Sequence, residues 1–334
     1  MYTRRECLML AAAAVLPGGR AAVAAAAGDT RKPMRGAFMI LTTPFTSSGA
    51  VDWDDLVREV DFCDRCGVHG LVWPQGSSGV RYLTKEERLR GLEVLSKAAR
   101  GKKPALVLGV QGKDTAEMLE YAQKAEALAP DALIAMPPTT AKSLDEYASY
   151  FRALAGVARR PVIVQTSGGA PSLAPSVELI VSLAREFPHL AYVKEESQPL
   201  VTRMKEELRN RPPMKAVFGA NLGANWLYEM RLGLDGVITG NAMYADAMAR
   251  MWTLHEQGST EELRDVFSRF LLMRNLGESI PGVDLYVMQK RGVFKATVVR
   301  TDKGAKTLEF SPEERAEIDY RLAAFKPYLT AQSM

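Results

Sequence analysis

From residue 36 onward, the sequence alternates short apolar runs with longer amphipathic stretches, and eight such pairs follow one another. The apolar runs cover residues 37–41, 70–73, 105–110, 132–136, 162–164, 190–193, 216–218 and 236–238. A short run that is apolar at nearly every position is typical of a strand buried on both faces, as in a parallel sheet. Eight strand–helix units are also the number that closes a (β/α)₈ (TIM) barrel of about 250 residues.

The amphipathic stretches between these runs have the length of helices and begin with helix start signals. They cover residues 53–66, 85–99, 115–128, 144–158, 176–187, 200–209, 223–232 and 242–257. Asp52, Thr84, Asp114 and Ser143 each stand at an N-cap position, where a side-chain oxygen accepts a hydrogen bond from the first helical turn. The pattern therefore predicts eight helices, one after each strand.

An open doubly wound sheet is the alternative architecture, because it has the same alternation of strands and helices. Such sheets carry a G-x-G-x-x-G turn after the first strand when they bind dinucleotides, and no such turn follows the first run here. The turn Gly76-Ser77-Ser78-Gly79 follows the second run and is too short for a phosphate-binding loop. The barrel is therefore the favoured α/β fold.

Beyond Gly258 the pattern becomes purely helical, over residues 260–276, 283–291 and 312–325. We therefore expect the barrel to cover residues 34–258 and a C-terminal helical extension to cover residues 259–330. The chain has 334 residues, of which 47% are hydrophobic, so its size fits one large globular domain, or two small ones, with an ample core.

Residues 1–28 have the pattern of an export signal. Arg4-Arg5 precede a short apolar stretch, and small residues such as Ala22-Val23-Ala24 follow it. The segment Thr3-Arg4-Arg5-Glu6-Cys7-Leu8 resembles a twin-arginine signal. The apolar stretch is too short to span a bilayer. We expect a periplasmic protein with no membrane partner after signal cleavage; the alternative is a frayed N-terminal helix.

Charge and cysteine usage narrow the classes of function. The formal net charge is +4, and outside the N-terminal segment the basic residues are interspersed with acidic ones, so no nucleic-acid partner is expected. Cys63 and Cys66 form a C-x-x-C at the end of a helical stretch, where the helix dipole disfavours a thiolate. Structural thiols are therefore favoured over a redox or metal role. The 3 histidines lack metal-ligand spacing, and neither a metal nor a cofactor is expected.

Lys194 is the residue that most clearly suggests a chemical activity. In a barrel of this type, catalytic residues lie at the carboxyl ends of the strands. The residues there are mostly small or polar, and Lys194, which closes the sixth run, is the only cation among them. Burial lowers the pKa of a lysine, and a neutral amine attacks carbonyl groups. The alternative is that Lys194 only marks the strand end and points to solvent.

Five short motifs support the catalytic interpretation when they are taken together. In chain order they are Thr43-Pro44-Phe45, Gly76-Ser77-Ser78-Gly79, Thr84-Lys85-Glu86-Glu87-Arg88, Val193-Lys194-Glu195 and Gly236-Val237-Ile238-Thr239. In this order they resemble the dihydrodipicolinate synthase / N-acetylneuraminate lyase family of Schiff-base (class I) aldolases, over nearly the whole chain from Gly36 to Phe325. Each motif alone is weak, whereas the colinear set is specific.

The resemblance implies a lyase, either an aldolase or a dehydratase, that captures pyruvate or another 2-keto acid as an imine on Lys194. It further implies that Ser77 and Ser78 hold the keto-acid carboxylate, and that the protein is a homotetramer or a homodimer. The full set of expected substrate-binding residues is Thr43, Gly76, Ser77, Ser78, Thr139, Gln165 and Thr239. Taken alone, Ser77-Ser78 would indicate only a tight turn stabilised by serine side chains.

The chain departs from the family pattern around the lysine. The family has a proton-relaying tyrosine just after strand four, and Met136-Pro137-Pro138-Thr139-Thr140 places Thr139 at that position. After strand five a Tyr-Asn pair is replaced by Gln165-Thr166, and Val80 replaces a glutamate after the glycine turn. A threonine hydroxyl is a far weaker acid than a phenol. The alternative function is therefore a catalytically impaired family member that binds keto acids.

Overall fold

Eight parallel strands form a closed barrel in the computed structural model, which describes residues 32–171 and 173–329. The export signal expected at residues 1–28 lies outside the described residues. The strands are β1 Gly36–Ile40, β2 Gly70–Trp73, β3 Ala105–Gly109, β4 Ala132–Ala135, β5 Val162–Gln165, β6 Tyr192–Lys194, β7 Ala216–Gly219 and β8 Gly236–Thr239. Each strand pairs with the next, and β8 pairs in parallel with β1. The predicted (β/α)₈ barrel is confirmed, and the open sheet is excluded.

A helix follows every strand of the barrel, as predicted. The helices are α1 Trp53–Cys66, α2 Lys85–Ala98, α3 Thr115–Ala127, α4 Leu144–Val157, α5 Val177–Glu186, α6 Leu200–Arg209, α7 Trp226–Leu232 and α8 Ala245–Glu256. The side chains of Asp52, Thr84, Asp114 and Ser143 each accept a hydrogen bond from the backbone N–H three residues on. These four bonds confirm the predicted N-caps and fix where α1 to α4 begin.

Side chains of the barrel strands point alternately to the two faces of the sheet. On one face they pack against the surrounding helices, and on the other they fill the barrel interior. The rings of Phe38 on β1 and Phe218 on β7 lie 5.2 Å apart, although β8 separates the two strands in the sheet. Such a contact is made only across the interior. Ile163 belongs to the same interior cluster, and the partly buried Tyr192 packs against it. These contacts fix the direction of the residues that follow them in β5 and β6.

The C-terminal extension contains α9 Thr260–Ser279, α10 Val283–Lys290 and α11 Pro312–Phe325. The predicted helical extension is confirmed, but the expectation that it is purely helical is wrong. A two-stranded antiparallel hairpin, β9 Val298–Thr301 and β10 Gly304–Thr307, interrupts it. Because β10 is exposed throughout, it has no apolar face that a sequence pattern could indicate. Within the described residues, no helix is both long and apolar enough to cross a bilayer.

The barrel closes where two glycines meet, and this contact leaves no room for a side chain. A Cβ placed on Gly236 would lie 2.1 Å from the carbonyl oxygen of Gly36. Since that oxygen belongs to the backbone, β8 would have to move away from β1. We expect Gly236→Ala to lower the free energy of unfolding by about 3 kcal/mol, measured by urea denaturation.

Gly156→Ala is the matched control, because the same methyl group would meet nothing within 4 Å at that exposed position of α4. Alanine is a better helix former than glycine, so this variant should gain up to about 1 kcal/mol. Equal effects of the two substitutions would show that the closing strands adjust without strain.

Candidate functional site

Lys194 is the last residue of β6, and its side chain enters the barrel. In the strand register it lies between Gln165 of β5 and Phe218 of β7. Tyr192 packs into the interior cluster, and side chains two residues apart in a strand point to the same face. Only 4% of Lys194 is exposed. The interpretation of Lys194 as a solvent-facing strand end is therefore excluded.

The surroundings of Lys194 favour its neutral form more than the surroundings of a surface lysine do. Burial lowers the pKa of Lys194, and the nearby carboxylate of Glu196 raises it by a smaller amount. The net effect is a pKa below the ordinary value, because the ammonium loses hydration inside the barrel. Lys194 is then a neutral amine in a larger fraction of the protein molecules, and the neutral amine is the form that attacks a carbonyl carbon.

Two side chains lie within hydrogen-bond distance of Nζ of Lys194 among the described residues. Nζ lies 3.3 Å from Oε1 of Gln165 and 3.1 Å from Oε1 of Glu196. The amide of Gln165 accepts a hydrogen bond but does not ionise in the ordinary pH range. Among the described residues, the carboxylate of Glu196 is therefore the one acid–base group within hydrogen-bond distance of the amine.

The loop after β5 fixes the side chain of Glu196. Ser167 Oγ donates a hydrogen bond of 2.6 Å to Oε2, the carboxylate oxygen that does not face the lysine. The backbone N–H of Glu196 donates to Thr166 Oγ1 at 2.9 Å. The amide of Gln165 in turn donates to the carbonyl oxygen of Ser167 at 3.3 Å. One carboxylate oxygen is thus held by the loop, and the other faces the amine.

Glu195, the residue between Lys194 and Glu196, is fully buried and points to the opposite side. Its Oε1 accepts hydrogen bonds from Thr166 Oγ1 and from the backbone N–H of Ser197, both at 2.6 Å. Its Oε2 accepts from Nε of Arg203 on α6 at 3.0 Å. A buried carboxylate needs a cation and several donors to offset its lost hydration. This cluster ties α6 to the loop that carries Glu196.

The two serines of the turn after β2, Ser77 and Ser78, lie in different environments. Ser78 is buried, and its Oγ accepts a hydrogen bond from the backbone N–H of Gln75 at 3.1 Å. Thr43 Oγ1 donates to the carbonyl oxygen of Ser78 at 2.6 Å and accepts from Nε1 of Trp73 at 3.0 Å. Ser78 and Thr43 therefore hold the shape of the turn, which begins with Gly76.

Ser77, by contrast, is exposed at the mouth of the barrel. It lines a cavity of about 290 Å³ together with Gly240 and Asn241 of the loop after β8. A Cβ at Gly240 would lie 2.7 Å from Oγ of Ser77, so the glycine leaves room for that hydroxyl group. The hydroxyl of Ser77 is available to a ligand in a way that the hydroxyl of Ser78 is not.

The other two expected residues, Thr139 and Thr239, make no hydrogen bond to the lysine in the described part of the chain. Thr139 is exposed, and within residues 32–171 and 173–329 the side chains hydrogen-bonded to or ion-paired with Lys194 are those of Gln165 and Glu196. Thr239 Oγ1 accepts a hydrogen bond from Nδ2 of Asn241 at 2.9 Å, and the same amide donates to the carbonyl oxygen of Leu222. Of the residues named from the sequence, Gln165 is the one that the structure places beside the amine.

Two acidic residues near the site were not identified from the sequence. Glu196 follows the lysine at a distance of two residues, and the acidic pair after the sixth run is the signal that could have indicated it. Asp284 of α10 lines the same cavity as Ser77, and burial raises the pKa of its carboxyl group. No sequence signal places a residue of the extension at the mouth of the barrel, because its position depends on how α10 packs.

The cysteines lie away from this site, in α1. Cys63 and Cys66 are both free thiols and both buried. Burial raises the pKa of each thiol, which disfavours the reactive thiolate, as expected of structural cysteines. In the described part of the chain, no three His, Cys, Asp or Glu side chains converge as metal ligands.

Comparison with known proteins gives a consistent result. A model of the dihydrodipicolinate synthetase family matches residues 33–315. A 4-hydroxy-tetrahydrodipicolinate synthase from Chlorobium phaeobacteroides is 28% identical over 267 residues, which cover 78% of this chain and 88% of that protein.

Solved structures show the same fold. Dihydrodipicolinate synthase from Aquifex aeolicus superposes with a TM-score of 0.77 at 20% identity, covering 89% of this chain and 99% of the other. A prophage protein of the dihydrodipicolinic acid synthase family from E. coli K12, solved in complex with pyruvate, gives a TM-score of 0.78 at 17% identity. That superposition covers 88% of this chain and 99% of the other.

Proposed function

Because the chain belongs to the dihydrodipicolinate synthetase family of Schiff-base lyases, we propose that it acts on pyruvate or another 2-keto acid through an imine on Lys194. The observation that carries this proposal is the buried amine at the end of β6, which faces the barrel interior with a lowered pKa. The related E. coli K12 protein in complex with pyruvate supports the class of substrate.

The imine makes the chemistry of a lyase possible. The neutral amine attacks the keto carbon, water leaves, and the resulting iminium withdraws electrons from the neighbouring carbon. A C–C bond is then broken or made in an aldolase, and a C–O bond is broken in a dehydratase. In either reaction the protein must hold the keto acid by its carboxylate and move protons at Nζ of Lys194.

Chemical trapping tests the proposal. The protein is incubated with pyruvate and with a panel of 2-keto acids, reduced with borohydride, digested and analysed by mass spectrometry. We expect a reduced adduct on Lys194 and turnover with at least one member of the panel. An adduct on another lysine, or none with any keto acid, would contradict the proposal. An adduct without turnover would instead support the keto-acid-binding alternative.

We further propose that Ser77 holds the keto-acid carboxylate, with the backbone N–H groups that begin its helical turn. Its hydroxyl is exposed at the barrel mouth, and the first N–H groups of such a turn have no partner inside it. A hydrogen bond to a charged group contributes about 1.5–3 kcal/mol. Ser77→Ala should therefore raise the concentration of keto acid needed for half-maximal trapping by at least about tenfold.

Ser78→Ala is the comparison variant, because the Ser78 hydroxyl accepts from the backbone of its own turn. It should lower the free energy of unfolding by about 1 kcal/mol, measured by thermal denaturation. Unchanged capture of keto acids by Ser77→Ala would show that this hydroxyl does not contact the substrate.

We also propose export to the periplasm and assembly into a homotetramer or homodimer. Arg4-Arg5 ahead of the short apolar stretch supports export through the twin-arginine pathway. The assembly is what the family resemblance implies.

A further inference from the structure

The carboxylate of Glu196 reaches the nitrogen at which the proposed reaction takes place. Its Oε1 lies 3.1 Å from Nζ of Lys194, and 22% of its side chain is exposed at the mouth of the barrel. On the premise that Lys194 forms an imine, we propose that Glu196 is the catalytic group that moves the protons of that reaction. In this role Glu196 replaces the proton-relaying tyrosine that the family resemblance predicts, whose position Thr139 occupies in this chain.

Imine formation requires two proton transfers at this position. An ammonium group carries three protons and an iminium nitrogen keeps one, so two protons leave Nζ. The carbonyl oxygen leaves as water and needs two protons, so the balance closes without any other acid or base. Glu196 accepts the first proton from the ammonium group, which frees the electron pair that attacks the keto carbon. It passes that proton to the oxygen and then transfers the second in the same way.

The following step needs a base at the same place. The iminium draws electrons from the C–H bond on the neighbouring carbon, and that proton must be accepted as the enamine forms. The C–H electron pair becomes the C=C bond, while the C=N electron pair returns to nitrogen. Glu196 is ionised again once the water has left. Its carboxylate is therefore the base next to the iminium.

The other groups around Nζ cannot supply these transfers. The amide of Gln165 faces Nζ and does not ionise. Glu195 is buried and bound to Arg203, Thr166 and the Ser197 backbone, so its carboxylate faces away from the lysine. In the described part of the chain, no further acid or base is recorded within hydrogen-bond distance of Nζ.

The loop after β5 holds Glu196 ready for this role. Ser167 binds Oε2 and Thr166 binds the backbone N–H, so Oε1 stays directed at the amine. Thr166 is itself held by Glu195, which Arg203 fixes to α6. A fixed acid–base group has no reorganisation to undergo at the moment of reaction, which is what efficient proton transfer requires.

Glu196→Gln tests the proposal, because glutamine keeps the size of the side chain and cannot exchange a proton. We expect turnover and the rate of borohydride-trappable imine formation each to fall by about 10²–10⁴-fold. The negative charge of Glu196 raises the pKa of Lys194. Its removal should therefore move the rise of imine formation with pH to lower pH. The loss of charge alone produces this shift, and by itself it would make imine formation faster near neutral pH. A fall in rate despite the shift is therefore what a purely structural or electrostatic role would not produce.

Two further variants complete the experiment. Glu261→Gln makes the same chemical change at an exposed position in the first turn of α9 and should leave both rates unchanged. Glu196→Ala, assayed with added acetate, should regain activity as the acetate concentration rises, because a free carboxylate can occupy the vacated space. This rescue decides the question if the glutamine variant does not fold, and its absence in a folded alanine variant counts against the proposal.

The outcomes distinguish the proposed imine on Lys194 from the proposed role of Glu196. If wild-type protein gives no adduct on Lys194 with any keto acid, the proposed function fails. If the wild-type adduct forms on Lys194 but Glu196→Gln forms it at the wild-type rate and turns over normally, only the role of Glu196 is overturned. An adduct on Lys194 together with the loss of rate and the pH shift supports both.

Discussion

Lys194→Ala should abolish turnover of 2-keto acids, by a factor on the order of 10⁴ or more, and leave the protein folded. Without the amine there is no covalent intermediate, and among the described residues no other barrel strand ends in a lysine. Initial rates with the best keto acid of the trapping panel measure the loss. Circular dichroism and a melting curve measure the fold.

Lys194→Arg is the control that separates charge from nucleophilicity. The guanidinium group keeps the cation next to Glu196 but stays protonated and does not form imines. It should be as inactive as the alanine variant. More than about 1% of wild-type turnover in either variant would mean that a different residue performs the covalent step.

The eight strands and their helices could be predicted because a parallel barrel imposes one simple pattern. Its strands are buried on both faces and are therefore apolar throughout, while its helices are buried on one side only. Observed strand ends differ from the expected ones by one or two residues in most cases. The sixth strand ends one residue beyond its apolar run, at Lys194, and so carries the lysine into the barrel.

The hairpin of the extension could not be predicted for a related reason. Its strands are stabilised by pairing with each other and by Arg300, which binds the carboxylate of Glu87 at the start of α2. Such a contact joins residues more than two hundred positions apart. Since one strand is exposed along its whole length, no hydrophobic period marks it.

The candidate site was predicted in part, and the limits follow from the same physics. Strand ends can be aligned by counting units, so Lys194 and Gln165 were placed at the correct end of the barrel. Loop positions depend on hydrogen bonds that a sequence does not display. Thr139 was expected beside the lysine but lies exposed, whereas Glu196 is brought to the amine by Ser167 and Thr166 of a different loop.

A large, pH-dependent effect on stability is expected at Glu207 of α6, behind the site. This side chain is fully buried next to Glu195, and burial together with that negative charge raises its pKa from 4.5 to about 10. The folded protein therefore keeps the Glu207 proton in a pH range where the unfolded chain has released it. Because the folded state binds more protons, the free energy of unfolding falls as pH rises through this window, by up to about 1.4 kcal/mol per pH unit.

Glu207→Gln should remove this contribution, because glutamine has nearly the same shape and stays neutral at every pH. Relative to wild type, the variant should gain about 2–3 kcal/mol of unfolding free energy between pH 7 and pH 9, measured by urea denaturation. Other buried carboxyl groups affect both proteins equally and cancel in the difference. Glu206→Gln, on the same helix but half-buried, should instead keep most of the wild-type pH dependence, because the charge of Glu206 contributes least among the named causes of the raised pKa of Glu207.

Parallel stability curves for wild type and Glu207→Gln would show that Glu207 is ionised in the folded protein. Two carboxylates would then share the single guanidinium group of Arg203, whose recorded hydrogen bond goes to Glu195. That arrangement would weaken the hold of Arg203 on Glu195 and, through Thr166, on the backbone of Glu196. A neutral Glu207 leaves the guanidinium to Glu195 alone.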